Sequence, residues 1–209
     1  MEWAVLGLFV LFLLFAYVIV QGTRAQLAYR KAIAQGDLDV IREVVEQTLE
    51  QWRSMKRPKE VPPNVWRGVQ GVELVSLDAS HIRVGVSAEG QFRMVEGRWR
   101  EVSSPLEEAM AVTAKALEML LYDIPNVRLP WATVDVYTTF LGADGRPERR
   151  CILTTTASRQ AARSVDWDNW TPAQIVSYLE GRYRLGEDGR PLPVEVEEGP
   201  PGRREAGAA

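Results

Sequence analysis

The sequence predicts an α+β protein that begins with an N-terminal transmembrane helix. Behind this helix we expect a predominantly antiparallel sheet of about five strands packed with three helices, and then a disordered C-terminal tail. Three observations predict this class. An uncharged apolar run extends from Trp3 to Val20. Several short segments alternate apolar and polar residues as half-buried strands do, and longer segments space their apolar residues as amphipathic helices do.

The apolar run is the basis of the membrane prediction. The 18 residues from Trp3 to Val20 would form a helix of roughly 27 Å, close to the roughly 30 Å hydrocarbon core of a bilayer. A cleaved secretory signal and a buried core helix are the two alternatives. The signal is disfavoured because Met1-Glu2 supplies no basic residue before the run. Basic residues follow it, which predicts an N-terminus outside the cell membrane and a cytoplasmic C-terminal domain.

Composition divides the chain into four parts. We expect a transmembrane anchor at 1–22, juxtamembrane helices and a proline-rich linker at 23–64, an α+β globular domain at 65–184 and a disordered tail at 185–209. The formal net charge of −3 gives no general case for nucleic-acid binding, and no nucleic-acid partner is expected. The single cysteine, Cys151, excludes an intrachain disulfide.

Helical spacing and end signals mark three segments, which are approximately 37–55, 104–122 and 171–181. In the second of these, Ser104 is the expected N-cap, Pro105 takes the first helical position and Glu107 completes a capping box. Asp37 and Thr171 are the expected N-caps of the other two helices. The three segments supply the three helices of the predicted fold.

Strand signals fall in six segments, which are approximately 72–77, 82–88, 92–95, 98–102, 131–140 and 150–157. We expect three or four of the first four segments to form an antiparallel meander, with Glu96-Gly97 as a hairpin turn. The last two are expected to pair antiparallel, because their connection is too short for a crossover. From about Leu185 onward, glycine, proline and charged residues predict disorder.

Residues with catalytic or metal-binding chemistry are few. His81 is the one histidine and is expected in a surface turn, whereas Cys151 is expected to be buried in a strand. A nucleophile pair of these two residues is an alternative without local support. Asp166 and Asp168 form a polar turn or, as the alternative, a cation or acid–base site. No His/Cys cluster or glycine-rich phosphate motif is present, so we predict no cofactor, metal or catalytic residue.

Three short basic groups are candidate contacts for a protein partner or for anionic lipid, with solvated surface as the alternative for each. One group follows the apolar run, one lies in the proline-rich linker, and one lies at the end of the last predicted hairpin. Their residues are Arg24, Arg30, Lys31, Lys56, Arg57, Lys59, Arg146, Arg149 and Arg150.

Residues 34–90 open with AQGDLDVIREVVEQTLEQW, which is followed by two strand signals. This order, with its Gly-Asp-Leu helix start, resembles the opening of membrane-tethered Tim44-like and NTF2-like domains. The resemblance implies initial helices followed by a curved sheet. It ends at the predicted helix 104–122, which interrupts that sheet, and it transfers no function and no site residue to this chain.

The sequence favours a binding protein over an enzyme. The first hypothesis is a single-pass membrane protein, held in the bilayer between Trp3 and Val20, whose cytoplasmic domain binds or tethers a protein partner or a second copy. The alternative is a membrane-tethered sensor of a small ligand, or an enzyme, with a pocket between sheet and helices. A pocket lined by Asp135, Tyr137, His81 or Cys151 would favour this alternative.

Overall fold

The computed structural model describes residues 30–142 and 144–196, together with Phe12, Phe15, Tyr17 and Gln21. The chain forms two compact units, 1–43 and 44–209. In the first unit, residues 30–34 are helical. The carboxylate of Asp37 accepts hydrogen bonds from the backbone N–H groups two and three residues later, at 3.2 and 3.4 Å. The expected N-cap at Asp37 is therefore confirmed.

The described helices are α1 (Leu38–Ser54), α2 (Pro63–Gln70), α3 (Pro105–Tyr122), α4 (Arg159–Ala162) and α5 (Pro172–Tyr178). The described strands are β1 (Glu73–Leu77), β2 (His81–Ser87), β3 (Gln91–Val95), β4 (Arg98–Ser103), β5 (Trp131–Leu141), β6 (Pro147–Ser158), β7 (Arg182–Leu185) and β8 (Pro191–Leu192). The predicted capping box at Ser104 and the predicted N-cap at Thr171 are confirmed, and Thr171 forms a capping box with Gln174 as well. Helix α2, which the sequence did not predict, begins at the end of the proline-rich linker and continues into the predicted globular domain. Pro63 occupies a first-turn position, where proline is tolerated.

The main sheet has six strands in the order β1-β2-β5-β6-β7-β8. It is mixed, because β2 and β5 run parallel while the other neighbours run antiparallel. The predicted antiparallel sheet of about five strands is therefore wrong in strand number and topology. The chain leaves the sheet after β2 and returns through α3, and such a crossover brings the next strand back in the same direction.

The strands β3 and β4 form a separate two-stranded sheet. Their turn, Glu96-Gly97, has positive φ at both residues, 51° and 77°, which is the geometry of a tight hairpin turn. The predicted turn is confirmed, but the predicted meander of three or four strands is wrong, because β3 and β4 do not pair with β1 or β2. The hairpin is an excursion of the crossover, and it leaves the main sheet to the strands before and after it.

Each central strand has one apolar and one polar face. Ile82, Val84 and Val86 of β2 are fully buried, as are Val134 and Val136 of β5. Helix α3 contacts β5 and β6, and α2 and α5 pack on α3. The core therefore lies between the apolar side of the sheet and a layer of helices, and it leaves the other side of the sheet for polar residues.

The membrane part of the predicted fold class is also corrected. In the part of the chain that the structure describes, no helix is both long and apolar enough to cross a membrane. Of the long helices that the structure describes, α3 is the most apolar, yet it carries four charged residues. The predicted span itself, residues 3–20, lies outside the described residues except for Phe12, Phe15 and Tyr17.

The predicted disordered tail is partly ordered. β7 pairs with β6, β8 pairs with β7, and the backbone N–H of Val194 donates to the carbonyl of Cys151 at 2.8 Å. This segment has little apolar surface to bury, but its backbone forms hydrogen bonds with the backbone groups at the edge of β6, which would otherwise be unpaired. The part of the tail after residue 196 lies outside the described residues.

Helices α2 and α3 cross at Gly68. A Cβ atom at this position would lie 2.6 Å from Cγ2 and 2.8 Å from Cγ1 of Val112. We expect Gly68→Ala to lower the free energy of unfolding by about 1–3 kcal/mol, because the added methyl group overpacks the crossing. Urea unfolding measures this change.

The control for this prediction is Gly71→Ala, where the nearest atom to an added Cβ lies 3.5 Å away. This variant should change stability by less than about 0.5 kcal/mol. Val112→Ala combined with Gly68→Ala should cost less than the sum of the two single changes, because the smaller side chain makes room for the methyl group. Strict additivity would contradict the close crossing.

Candidate functional site

The side of the sheet opposite the helices carries a contiguous set of polar side chains from the three central strands. We call this set the polar face, and it consists of His81, Arg83, Thr133, Asp135, Tyr137, Cys151, Thr154 and Thr156. The register aligns them: Asp135 is the partner of Gly85 in β2 and of Thr154 in β6. Alternation along each strand predicts such a face, and the pairing of strands brings its members together.

A buried ion pair lies at the centre of the polar face. Nε of Arg83 donates to Oδ2 of Asp135 at 2.6 Å, and Nη2 donates to Oδ1 at 3.3 Å. The hydroxyl of Thr154 donates to Oδ1 of the same carboxylate at 2.6 Å. Burial alone would lower the pKa of Arg83, but the bond and the charge of Asp135 raise it. Together with Thr154, the pair links β2, β5 and β6.

His81 begins β2 and is only 3% exposed, so the predicted surface position is wrong. Its Nε2 lies 2.8 Å from the hydroxyl oxygen of Thr133, which lies 2.7 Å from that of Thr156. Burial is the main cause that lowers the pKa of His81. The ring therefore joins a hydrogen-bonded row across the sheet as a neutral imidazole at neutral pH.

Cys151 is buried, as predicted, and its Sγ donates to the carbonyl of Leu153 at 3.4 Å. Burial raises the pKa of this thiol to about 11, so at neutral pH it is protonated and a poor nucleophile. His81 is the sheet neighbour of Trp131 and Cys151 that of Tyr137. These positions are six residues apart on β5, or roughly 20 Å. The two residues therefore cannot act as a nucleophile and its base.

The predicted basic contacts of the last hairpin each have a carboxylate neighbour. Arg146 lies 3.6 Å from Asp144, and Arg150 lies 2.6 Å from Glu148. Arg149 reaches Glu73 at 3.1 Å, and its guanidinium carbon lies 4.8 Å from the centre of the Tyr137 ring. Arg149 thus covers one end of the polar face instead of projecting away from the sheet.

The other predicted basic contacts lie on exposed surface or outside the described residues. Arg30, Lys31, Lys56 and Lys59 are exposed. Arg57 is exposed as well, but its Nη1 donates to the carbonyl of Val61 at 2.6 Å, which stabilises the linker turn. Arg24 lies outside the described residues.

In the acidic turn that follows α4, which contains Asp166 and Asp168, the Asp166 carboxylate forms hydrogen bonds within the turn itself. The carboxylate of Asp166 accepts from both the backbone and the side-chain amide of Asn169. The indole N–H of Trp167 donates to the carbonyl of Ala162 at 3.2 Å, and the ring of Trp170 packs edge-to-face against that of Tyr178 in α5. Among the described residues, no group of three or more histidine, cysteine or acidic side chains is arranged to hold a metal ion.

The β3–β4 hairpin presents the largest set of exposed apolar side chains in a single element of the described chain. Phe92, Met94 and Trp99 are 58%, 52% and 68% exposed, and Met94 is the direct partner of Trp99. Alternation places these three side chains on one face, which we call the hairpin apolar face. Aromatic residues and methionine are enriched at protein interfaces.

The opposite side of the hairpin is basic. Arg93 is paired directly with Arg100, and Arg98 lies on the same side, opposite Val95. Like charges that face each other across strands are destabilising. Among the described residues none of the three arginines makes an ion pair. The hairpin therefore exposes both an apolar face and uncompensated positive charge.

The base of the hairpin is fixed to the main sheet. The carboxylate of Glu89 accepts from the hydroxyls of Thr138 and Thr139 at 3.2 and 3.0 Å. At the other end, Ser104 caps α3 directly after β4. The hairpin is thus held at both ends, although a two-stranded sheet is only marginally stable by itself.

Two clefts are lined by described residues outside the polar face. One, of about 450 Å³, lies where the end of α3 meets α4, and its lining includes Arg128, Arg159 and Arg163. The other, of about 350 Å³, lies between α3 and the turn that carries Trp167 and Trp170. Neither cleft is lined by His81, Asp135, Tyr137 or Cys151, the residues that would have favoured an enzyme.

Sequence reasoning missed the hairpin arginines and the cleft arginines. The hairpin signal was present in the strand pattern, since three arginines alternate with Phe92, Met94 and Trp99. No local signal joins Arg128 to Arg159 and Arg163, because they meet only through the pairing of Trp131 with Ser158 at one end of the β5–β6 ladder.

The buried ion pair yields a prediction about stability. Asp135→Asn should lower the free energy of unfolding by about 3–5 kcal/mol, because it leaves the buried charge of Arg83 uncompensated. Asp144→Asn, which removes a carboxylate from an exposed pair at 3.6 Å, should cost less than about 1 kcal/mol. Denaturant unfolding compares the two variants, and equal losses would contradict the central role of the pair.

A variant in which both charged residues are replaced by apolar ones distinguishes the effect of an uncompensated buried charge from the effect of altered packing. Arg83→Met combined with Asp135→Leu should be more stable than Asp135→Asn alone, because no uncompensated charge remains in the sheet.

His81 yields a prediction about pH. Because burial lowers its pKa below the ordinary value of 6.5, the unfolded chain binds a proton at His81 before the folded chain does. The free energy of unfolding should therefore fall as the pH drops below about 6.5. Urea unfolding at about pH 7.5 and about pH 5.5 measures this slope. His81→Asn should have a smaller slope, and an unchanged slope would show that His81 is not responsible.

Comparison of the chain with known protein families, with curated proteins and with solved structures finds no match in any of the three.

Proposed function

We propose that the domain formed by residues 44–196 is a protein-binding module and that the hairpin apolar face is its docking surface. The observation that carries this proposal is the exposure of Phe92, Met94 and Trp99 on one side of a hairpin that no helix covers in the described chain. Contiguous exposed apolar residues are uncommon on monomeric proteins unless they bind something.

The charge on the hairpin specifies the chemistry of the partner. Arg93, Arg98 and Arg100 lie on the other side of the same two strands, without an ion pair among the described residues. A protein whose cleft encloses the hairpin, with apolar side chains on one wall and carboxylates on the other, would bury the aromatic side chains and compensate these charges at the same time. Such an arrangement combines a buried aromatic centre with opposite charges that guide association.

The hairpin is suited to binding because its conformation is set before a partner arrives. The two positive φ angles of Glu96-Gly97 define the turn, and Glu89 holds the base. A docking element that is ordered in advance loses less conformational entropy on binding than a disordered segment does.

A photo-crosslinking amino acid at position 99, in the full chain expressed in its own cells, tests the proposal. The matched control is the same amino acid at Leu141, which is 81% exposed at the tip of the β5–β6 hairpin. We expect a single defined protein adduct from position 99 and none from position 141.

The identified partner is then purified, and its affinity is measured. Trp99→Ala should weaken binding by about 30-fold or more, as the loss of a central aromatic residue does. Arg93→Glu with Arg100→Glu should slow association and reverse its salt dependence. Thermal unfolding should be nearly unchanged in each variant, since all three side chains are exposed. Adducts only with a second copy of the chain, or equal affinity of the Trp99→Ala variant, would contradict the proposal.

A further inference from the structure

The cleft at the end of α3 is a second feature that points to a ligand, and it is independent of the hairpin. Its volume is about 450 Å³, which is in the range of small-molecule sites. Its lining comes from the C-terminal end of α3, the connection 124–128, and α4. The lining is apolar near Ile124 and Val127 and basic elsewhere.

Positive charge dominates this cleft. Three arginines, Arg128, Arg159 and Arg163, line it against a single carboxylate, that of Asp123. Burial is the main cause that raises the pKa of Asp123; the charge of Lys115 lowers this pKa and the charge of Glu118 raises it further. No ion pair joins any of the three arginines to a carboxylate within the described residues.

The guanidinium of Arg159 is held in place, but one of its nitrogen atoms lacks a hydrogen-bond partner in the part of the chain that the structure describes. Its Nε donates to the carbonyl of Leu129 at 3.1 Å, and its guanidinium carbon lies 5.8 Å from the centre of the Tyr122 ring. Its Nη2 is buried and has no hydrogen-bond partner among the described residues. Buried polar groups without partners are rare in folded proteins and are costly, especially when charged.

The surroundings of Arg159 disfavour its positive charge. Burial is the main cause that lowers the pKa of Arg159. The positive charges of Arg128 and Arg163 lower this pKa further, whereas the electrostatic interaction with Tyr122 raises it. A bound anion would reverse this balance, because it would supply the countercharge that the described residues do not. A planar guanidinium that is already fixed by a backbone carbonyl and an aromatic ring is well prepared to receive one.

The number of arginines indicates the kind of anion. A single carboxylate is satisfied by one guanidinium in a bidentate pair, whereas a phosphate monoester offers three oxygens and nearly two negative charges at neutral pH. Three arginines against one carboxylate leave a net charge that matches such a group. We propose that this cleft binds a small phosphorylated compound, with its phosphate held by Arg128, Arg159 and Arg163 and its body against the apolar lining.

Calorimetric titration of the full chain with inorganic pyrophosphate, at constant ionic strength, tests this site. We expect saturable binding and a rise in melting temperature with pyrophosphate concentration. Arg128→Gln and Arg163→Gln should each weaken binding by about tenfold, the effect of losing one charge-assisted hydrogen bond. The control is Arg146→Gln, since Arg146 is exposed in another turn, and its affinity should stay within about twofold of the parent.

Three results would overturn the proposal. Equal affinities in all variants would show that pyrophosphate binds by general charge. Citrate binding as tightly as pyrophosphate would show that the cleft does not select phosphate. Binding to phosphatidylcholine vesicles that contain phosphatidic acid, without binding of pyrophosphate, would assign the arginines to a lipid surface. Because Arg128 and Arg163 are exposed, their variants should fold, and circular dichroism checks this directly.

Discussion

The ion pair between Arg83 and Asp135 is the interaction on which the sheet depends. Both side chains are almost completely buried, and each would be very unfavourable without the other. The pair spans the parallel β2–β5 junction, and Thr154 extends it into β6. A shift of one residue in either strand would move one charge to the apolar face, so the pair specifies the register as well as contributing to stability.

This constraint explains why the polar face does not resemble a catalytic site. Its polar atoms bond mostly to each other: the imidazole of His81 to Thr133, and the carboxylate of Asp135 to Arg83 and Thr154. Its thiol is kept protonated by burial. In the described chain, arginines without an ion pair lie at the hairpin and at the arginine cleft instead.

Local features of the fold could be predicted from the sequence, whereas pairings between distant segments could not. The capping boxes at Ser104 and Thr171 and the Glu96-Gly97 turn are short-range hydrogen-bond and backbone preferences, which a few adjacent residues determine. Alternation in β2 showed which residues share a face, but it carried no information about which strand lies beside it. The strand that lies beside β2 determines both the parallel pairing and the burial of His81, so neither could be predicted.

The same limit applies to the two sites. The hairpin was recognisable as two strands, yet its exposure depends on the crossover that carries it away from the main sheet. The arginine cleft joins residues from separate segments, Arg128 on one side and Arg159 with Arg163 on the other. The predicted transmembrane class has no support in the described helices, none of which is long and apolar enough to cross a membrane. The apolar run on which that prediction rested lies mostly outside the described residues.

The short strands after α5 have a practical consequence for anyone who cuts the chain into fragments. β7 covers the β6 backbone at Leu153 and Thr154, and Val194 covers the carbonyl of Cys151. A recombinant fragment that stops at residue 184, where composition alone ends the domain, would uncover part of this strand and offer it to other molecules for edge-to-edge pairing. Fragments intended to stay monodisperse should therefore extend at least to Val194.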